Sequence, residues 1–157
     1  MPRLDHLDLE LLSALSADHR ATVVALADKL GLSRNTVQAR MSRLEARGAF
    51  LSYERAISSQ ILGFPIRACL TTVVRQRDLP RIREELAEVP EVLQALGLSG
   101  TADLLVLVAA RDTQHLFDVD ARILAIDGVE RTETALVMDE VIPYRVSPLM
   151  DLVREKA

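Results

Sequence analysis

The stretch from Ser33 to Gly48 (Ser-Arg-Asn-Thr-Val-Gln-Ala-Arg-Met-Ser-Arg-Leu-Glu-Ala-Arg-Gly) constrains the chain more than any other. Val37, Met41 and Leu44 recur at i, i+4 and i+7, the spacing that puts one apolar stripe along a helix. The opposite side carries Asn35, Gln38 and Ser42, short polar groups of the kind that hydrogen-bond base edges. Arg40, Arg43 and Arg47 line one flank and Arg34 the other. Ser33 stands where an N-cap belongs and Gly48 where a helix ends. A helix apolar on one side and hydrogen-bonding on the other is suited to lie in a DNA major groove while its back closes a small core.

The residues before it supply that core. Leu4, Leu7, Leu11 and Leu15 predict a first helix ending near Ser16–His19. Arg20–Leu30 predicts a second, with Leu26, Ala27 and Leu30 facing inward and Gly31 closing it. Two helices joined by a short Gly-containing turn, the second polar outside, form a helix-turn-helix. After Gly48 the period becomes roughly two, from Phe50 through Tyr53 to Arg55, which predicts a wing or linking strand. The boundaries expected are a winged helix-turn-helix over 1–50, a linker strand over 51–63, a second domain over 64–142 and a C-terminal tail over 143–157.

In the second domain the order changes to strand, helix, strand, strand, helix, strand. The strands are expected at about 66–75, 91–98, 103–110 and 129–138, and the helices at about 79–89 and 113–126. This is the ferredoxin-like βαββαβ succession, an antiparallel sheet with both helices on one face, and it makes the whole chain α+β. A sheet with one wet face alternates apolar with polar residues. Leu104–Val108 does not alternate, and Ala135–Met138 is apolar on both sides. The open face therefore needs an apolar cover, either a second copy of the same sheet or the segment Pro143–Lys156 folded back. In the second helix, Asp120 interrupts an otherwise apolar arc.

Composition bounds the function. With 157 residues, 49% of them hydrophobic, the chain can build such a core. No apolar run reaches membrane-spanning length and the N-terminus has no signal-peptide h-region, so the expectation is a cytoplasmic protein with no membrane partner. Cys69 is the single cysteine, expected as a small buried hydrophobe on the first strand. The net charge is −4, but residues 1–63 hold eight basic against seven acidic side chains, and 64–157 hold eleven against sixteen. Positive charge thus gathers near the reading helix. The histidines are scattered without metal-ligand spacing, and no phosphate loop, nucleophile elbow or dinucleotide fingerprint occurs, so no metal, cofactor or catalytic residue is expected.

Several of these segments together resemble the leucine-responsive/asparagine-synthetase regulator (Lrp/AsnC) family. They are Leu4-Asp5-x-x-Asp8-x-x-Leu11-Leu12-x-x-Leu15, Arg20-x-x-x-x-x-Leu26-Ala27 and Ser33-x-x-Thr36-Val37-x-x-Arg40-x-x-x-Leu44-Glu45-x-x-Gly48. In the second half, Gly100-x-x-Asp103 before an apolar strand and Gly128-Val129-x-x-Thr132-x-Thr134 resemble the family's effector loop and last strand. The resemblance implies a transcriptional regulator of double-stranded DNA whose regulatory domain dimerises, often assembles to octamers, and binds an amino-acid-type effector at interfaces between dimers. The DNA-contacting residues expected are Ser33, Arg34, Asn35, Thr36, Gln38, Ser42, Arg43 and Arg47, with Arg34, Arg43 and Arg47 on phosphates. Arg40, nearer the apolar stripe, either contacts DNA or pairs with an acid of the first two helices. Carried over, the effector residues are Gly100, Thr101, Asp103, Thr134, Ala135 and Leu136. One departure from the family stands out: Thr101-Ala102 replaces the usual acidic or polar residue followed by an aromatic. Two alternatives from other classes are an effector-independent architectural DNA binder and a siroheme decarboxylase-like enzyme subunit.

Overall fold

The computed structural model describes residues 4–52 and 56–155. The chain divides into two compact units, Met1–Arg55 with Ile142–Ala157, and Ala56–Val141.

The first unit holds α1 (His6–Ala17), α2 (Val23–Leu30), α3 (Arg34–Ala46) and a C-terminal α4 (Ser147–Arg154). Each of the first three begins at a side-chain cap. Asp5 and Asp8 form a reciprocal capping box on α1, Thr22 caps α2 at Ala25, and Ser33 caps α3 at Thr36. The second helix is therefore capped by Thr22 and starts at Val23, later than the expected Arg20. Gly31 takes the left-handed conformation (φ 64°) that turns the chain from α2 into α3. Leu11, Ala14, Leu26, Ala27, Val37 and Leu44 make the core, with Leu15, Leu30 and Met41 packed against it. The segment expected as a tail contains α4, which packs on α1 within the first unit. Leu4, Leu9 and Leu12 of the α1 region meet Val146, Leu149, Met150 and Val153 across an apolar groove. For this reason α1 buries Leu9 as well as Leu11, and its apolar residues exceed a single stripe. Residues 49–52 form no strand; 53–55, where the wing expectation continues, lie outside the described residues.

The second unit is a four-stranded antiparallel sheet, β1 (Ile66–Val74), β2 (Val92–Gly97), β3 (Leu104–Ala110) and β4 (Val129–Leu136), in the order β2-β3-β1-β4. Two helices, α5 (Leu79–Ala87) and α6 (Thr113–Leu124), supply the crossovers. Ala68, Leu70 and Val74 of β1 and Leu104, Val106, Val108 and Ala110 of β3 face Ile82, Leu86, Leu116, Val119 and Ile123 of the helices, forming one core. The register then sets the other face. Cys69 pairs with Leu107 and Ala135, and Thr71 with Leu105 and Glu133. Cys69 is consequently half-buried on the helix-free face, not enclosed in the core.

At the turn into β4, Gly128 is buried with φ 93°, and an added Cβ would lie 2.8 Å from Cβ of Asp78 and 3.1 Å from Cδ1 of Ile82. Both conformation and space exclude a side chain here. Gly128→Ala is expected to destabilise the protein by about 1–3 kcal/mol, measured by denaturant unfolding. An unchanged midpoint would show that the turn relaxes freely.

Candidate nucleic-acid interface and effector loop

Helix α3 divides as its sequence predicts. Val37 and Leu44 are fully buried and Met41 half-buried, whereas Arg34, Asn35, Gln38 and Ser42 are exposed. Anchoring one side by Val37 and Leu44 fixes which side faces outward, so the amides of Asn35 and Gln38 have a set direction. Ser33 and Thr36 are otherwise employed. The Ser33 hydroxyl accepts the Thr36 N–H at 3.1 Å, and the two hydroxyls lie 2.8 Å apart. Their first role is to start the helix.

The arginines separate into two groups. Arg40 Nη1 donates to Asp5 at 2.7 Å and to Asp8 at 2.8 Å, so the internal alternative is the one this residue takes. Arg43, expected on phosphate, places Nη2 2.6 Å from Oδ1 of Asp8 and 3.7 Å from Asp5. Asp8 is buried and Arg40 nearly so; Asp5 and Arg43 are each half-exposed. The spacing in sequence explains the match. Asp5 and Asp8 stand one helical turn apart on α1, as do Arg40 and Arg43 on α3, so the two pairs meet as a square of alternating charge. Arg34 makes no ion pair among the described residues, and Arg47 is the C-cap residue of α3. Beside the square, Asn35, Thr36, Ala39, Arg40 and Arg43 line an open concavity of about 530 Å³ on this surface.

The Arg40 hydrogen bond holds the Asp5 carboxyl below its usual range, outweighing the opposing effect of desolvation, and Arg40 is raised in turn by Asp5. Two outcomes follow. Asp8→Ala leaves Arg40 without its buried acceptor and is expected to cost about 2–3 kcal/mol in unfolding free energy, with an unchanged value refuting the clamp. Because the Asp5 pKa is depressed on folding, its stabilisation is complete above the ordinary carboxylate value of about 4 and is lost as pH falls from there through the lowered value. Melting temperatures of wild type and Asp5→Asn should therefore converge in that acidic window, and parallel curves would contradict the assignment.

In the second unit, Asp103 is bound from within. Its Oδ2 accepts the Val74 N–H at 2.8 Å and its Oδ1 accepts from Gln76 Nε2 at 2.6 Å, while its own N–H donates to Thr72 O. The pairing of β1 with β4 shifts register between Val73 and Val74, and Asp103 supplies an acceptor for the Val74 N–H there. Gly100 and Thr101 are exposed in the β2–β3 loop. Thr134, Ala135 and Leu136 pair with Leu70, Cys69 and Ala68, nearer the start of β1 than Thr72 and on the side away from β3. Thr134 and Leu136 share one sheet face and Ala135 the other. One chain therefore does not bring the six expected effector residues together as one pocket.

Sequence reasoning missed a half-buried polar group at the opposite end of the sheet. Glu91 and His115 lie 2.9 Å apart, Arg122 reaches Glu91 at 2.7 Å, and the Phe64 ring packs on His115 at 6.0 Å. Burial raises the Glu91 pKa, but hydrogen bonds from Arg122, its own backbone and His115 carry it below its usual value. The four residues are scattered in sequence, so spacing carries no sign of them. No helix among the described residues is long and apolar enough to cross a membrane.

With this geometry, comparison with known proteins is direct. Residues 4–45 match the AsnC-type helix-turn-helix domain and residues 52–147 the Lrp/AsnC ligand binding domain. An HTH-type transcriptional regulator of Mycobacterium tuberculosis is 30% identical over 143 residues, which are 90% of this chain and 97% of the relative. A proline dehydrogenase transcriptional activator of Rhizobium radiobacter is 30% identical over 142 residues, 88% of this chain and 91% of the relative. The structure of E. coli AsnC superposes with a TM-score of 0.83 at 25% identity, covering 94% of this chain and all of that one. Two matched domains in the observed order, each with the fold its residues build, lead to one conclusion: the chain belongs to the Lrp/AsnC family of DNA-binding helix-turn-helix transcriptional regulators.

Proposed function

We propose that this regulator reads DNA as a symmetric pair and is switched by an amino acid or related small metabolite. The observation that carries the reading part is the pose of α3, buried through Val37 and Leu44 and exposing Asn35, Gln38 and Ser42. Asn and Gln amides match adenine bidentately, and each such contact is worth about 1–3 kcal/mol of discrimination. Arg34 and Arg47 flank these residues as phosphate contacts, with Arg43 shared between Asp8 and DNA.

Pairing is supported by the helix-free sheet face, where Cys69, Leu105, Leu107 and Ala109 form an apolar centre bounded by Arg67, Gln94 and Glu133. A second copy of the same face covers it with two-fold symmetry, and further association of dimers leads to octamers. Two α3 helices then read half-sites about 34 Å apart, or a multiple of that. The effector residues Gly100, Thr101, Asp103, Thr134, Ala135 and Leu136 act together across such interfaces, since one chain holds them apart. Thr101-Ala102 makes this a pocket without the usual aromatic. An amino-acid effector agrees with one relative's being a proline dehydrogenase transcriptional activator.

That the relatives are transcriptional regulators favours regulation over the decarboxylase alternative. An architectural, effector-independent binder is the remaining reading, and the tying of Arg40 and Arg43 to carboxylates speaks against a surface built for dense phosphate contact.

The test is a gel shift on the DNA upstream of the chain's own coding sequence, repeated with each of the twenty amino acids and with sizing of every mixture. A shift at low salt that one amino acid strengthens or abolishes, together with a change of assembly, is expected. Absence of any shift overturns the DNA reading, and a shift blind to all twenty favours the architectural one. Within the same assay Gln38→Ala should lower base preference, whereas Arg34→Ala should weaken every sequence alike and reduce the salt slope by about 1 per protomer. Equal losses on specific and random DNA for both variants would contradict the division of roles.

A further inference from the structure

The charge square of α1 and α3 does more than hold two helices together. Asp5 is half-exposed, and its partner Arg40 lines the same open concavity as Asn35, Thr36, Ala39 and Arg43. A phosphate approaching Arg40 and Arg43 there meets a carboxylate already bound to them. The two acids balance the two arginines, so Arg40 and Arg43 are neutralised before DNA arrives.

We propose that Asp5 is a positioning residue for DNA binding: it competes with the phosphate backbone for Arg40 and Arg43 and so limits how much sequence-independent affinity the reading helix has. This rests on α3 being the DNA-facing helix. Asp8 is sealed beneath the arginines and remains bonded to them in either state; Asp5 is the exposed member, able to yield its place. When Asp5 loses its charge, one buried carboxylate faces two guanidinium groups and one positive charge is left for phosphate. Non-specific binding depends mainly on that number, each phosphate neutralised adding about 0.9 to the slope of log affinity against log salt. Arg43, half-exposed, is the side chain in position to use the freed charge.

Asp5→Asn isolates the effect, because Asn is as good an N-cap as Asp and α1 keeps its start. Binding to the upstream DNA and to a random duplex of equal length is measured from 50 to 300 mM salt for wild type, Asp5→Asn and the double variant Asp5→Asn/Arg43→Gln. The expected result for Asp5→Asn is a salt slope steeper by about 1 per protomer, about 2 for the DNA-bound pair, on both DNAs, with at least about tenfold tighter binding to the random duplex at 50 mM. The double variant should return to the wild-type slope. A purely structural role for Asp5 predicts a lower melting temperature with an unchanged slope, and that result would overturn the proposal. If Asp5→Asn does not fold, Asp5→Ser, which also caps, takes its place with the same expected slope. Loss of binding by wild type itself would indict the DNA reading instead, so the two failures are distinct.

Discussion

The pose of α3 depends on a contact that joins opposite ends of the first fifty residues. Asp5 and Asp8 belong to the first turn of α1, and Arg40 and Arg43 to the second half of α3. Apolar packing of Val37 and Leu44 decides which side of α3 is hidden, but dispersion and hydrophobic contact are not directional. A multiply bonded charge square is directional, and it fixes α3 against both rotation and sliding. The capping box uses the same Asp5 and Asp8 to begin α1, so helix initiation and helix docking share two carboxylates. One of these is buried and bonded on both sides, which is the condition under which an interior charge is tolerated.

A comparable economy appears in the sheet unit. Asp103 closes the β2–β3 loop onto β1 by accepting from Val74, where the ladder with β4 shifts register, and from Gln76 in the following 3₁₀ turn. The loop is thereby joined to the start of α5. At the other end of the sheet, Glu91, His115 and Arg122 join β2 to α6. The two polar groups pin the ends, while the middle of the sheet relies on apolar packing against α5 and α6. One face is closed by the helices; the other, centred on Leu105 and Leu107, is the helix-free face.

Much of this was legible from spacing. A period of 3.6 in Ser33–Gly48 placed Val37 and Leu44 inside and Gln38 outside, and caps at Ser33 and Gly31 set the limits of the turn. The strand order followed from the alternation of short apolar runs with helical ones. Other parts were not legible, each for a physical reason. The role of Arg43 depended on whether a carboxylate from 35 residues away would arrive beside it, although the matched three-residue spacings of Asp5/Asp8 and Arg40/Arg43 were a usable signal. Cys69 was expected inside because cysteine usually is, but alternation along β1 put it on the helix-free face. The segment after Pro143 read as a tail because eight residues cannot sustain a helix alone; α4 exists through its packing on α1.

The sequence by itself determined the local states and the periodic faces, because both arise from interactions within a few residues: caps, turns, side-chain direction and propensity. It also carried the family, since two motif sets in a given order are statements about residue identity. Tertiary structure alone decided which charges are bound and which are displayed. Asp103 turned inward to β1, Asp8 vanished beneath two arginines, and the six residues expected at an effector site were held apart in one chain. Those outcomes depend on distances between segments remote in sequence, and a carboxylate has the same composition whether it meets a ligand, a phosphate-seeking arginine or its own backbone.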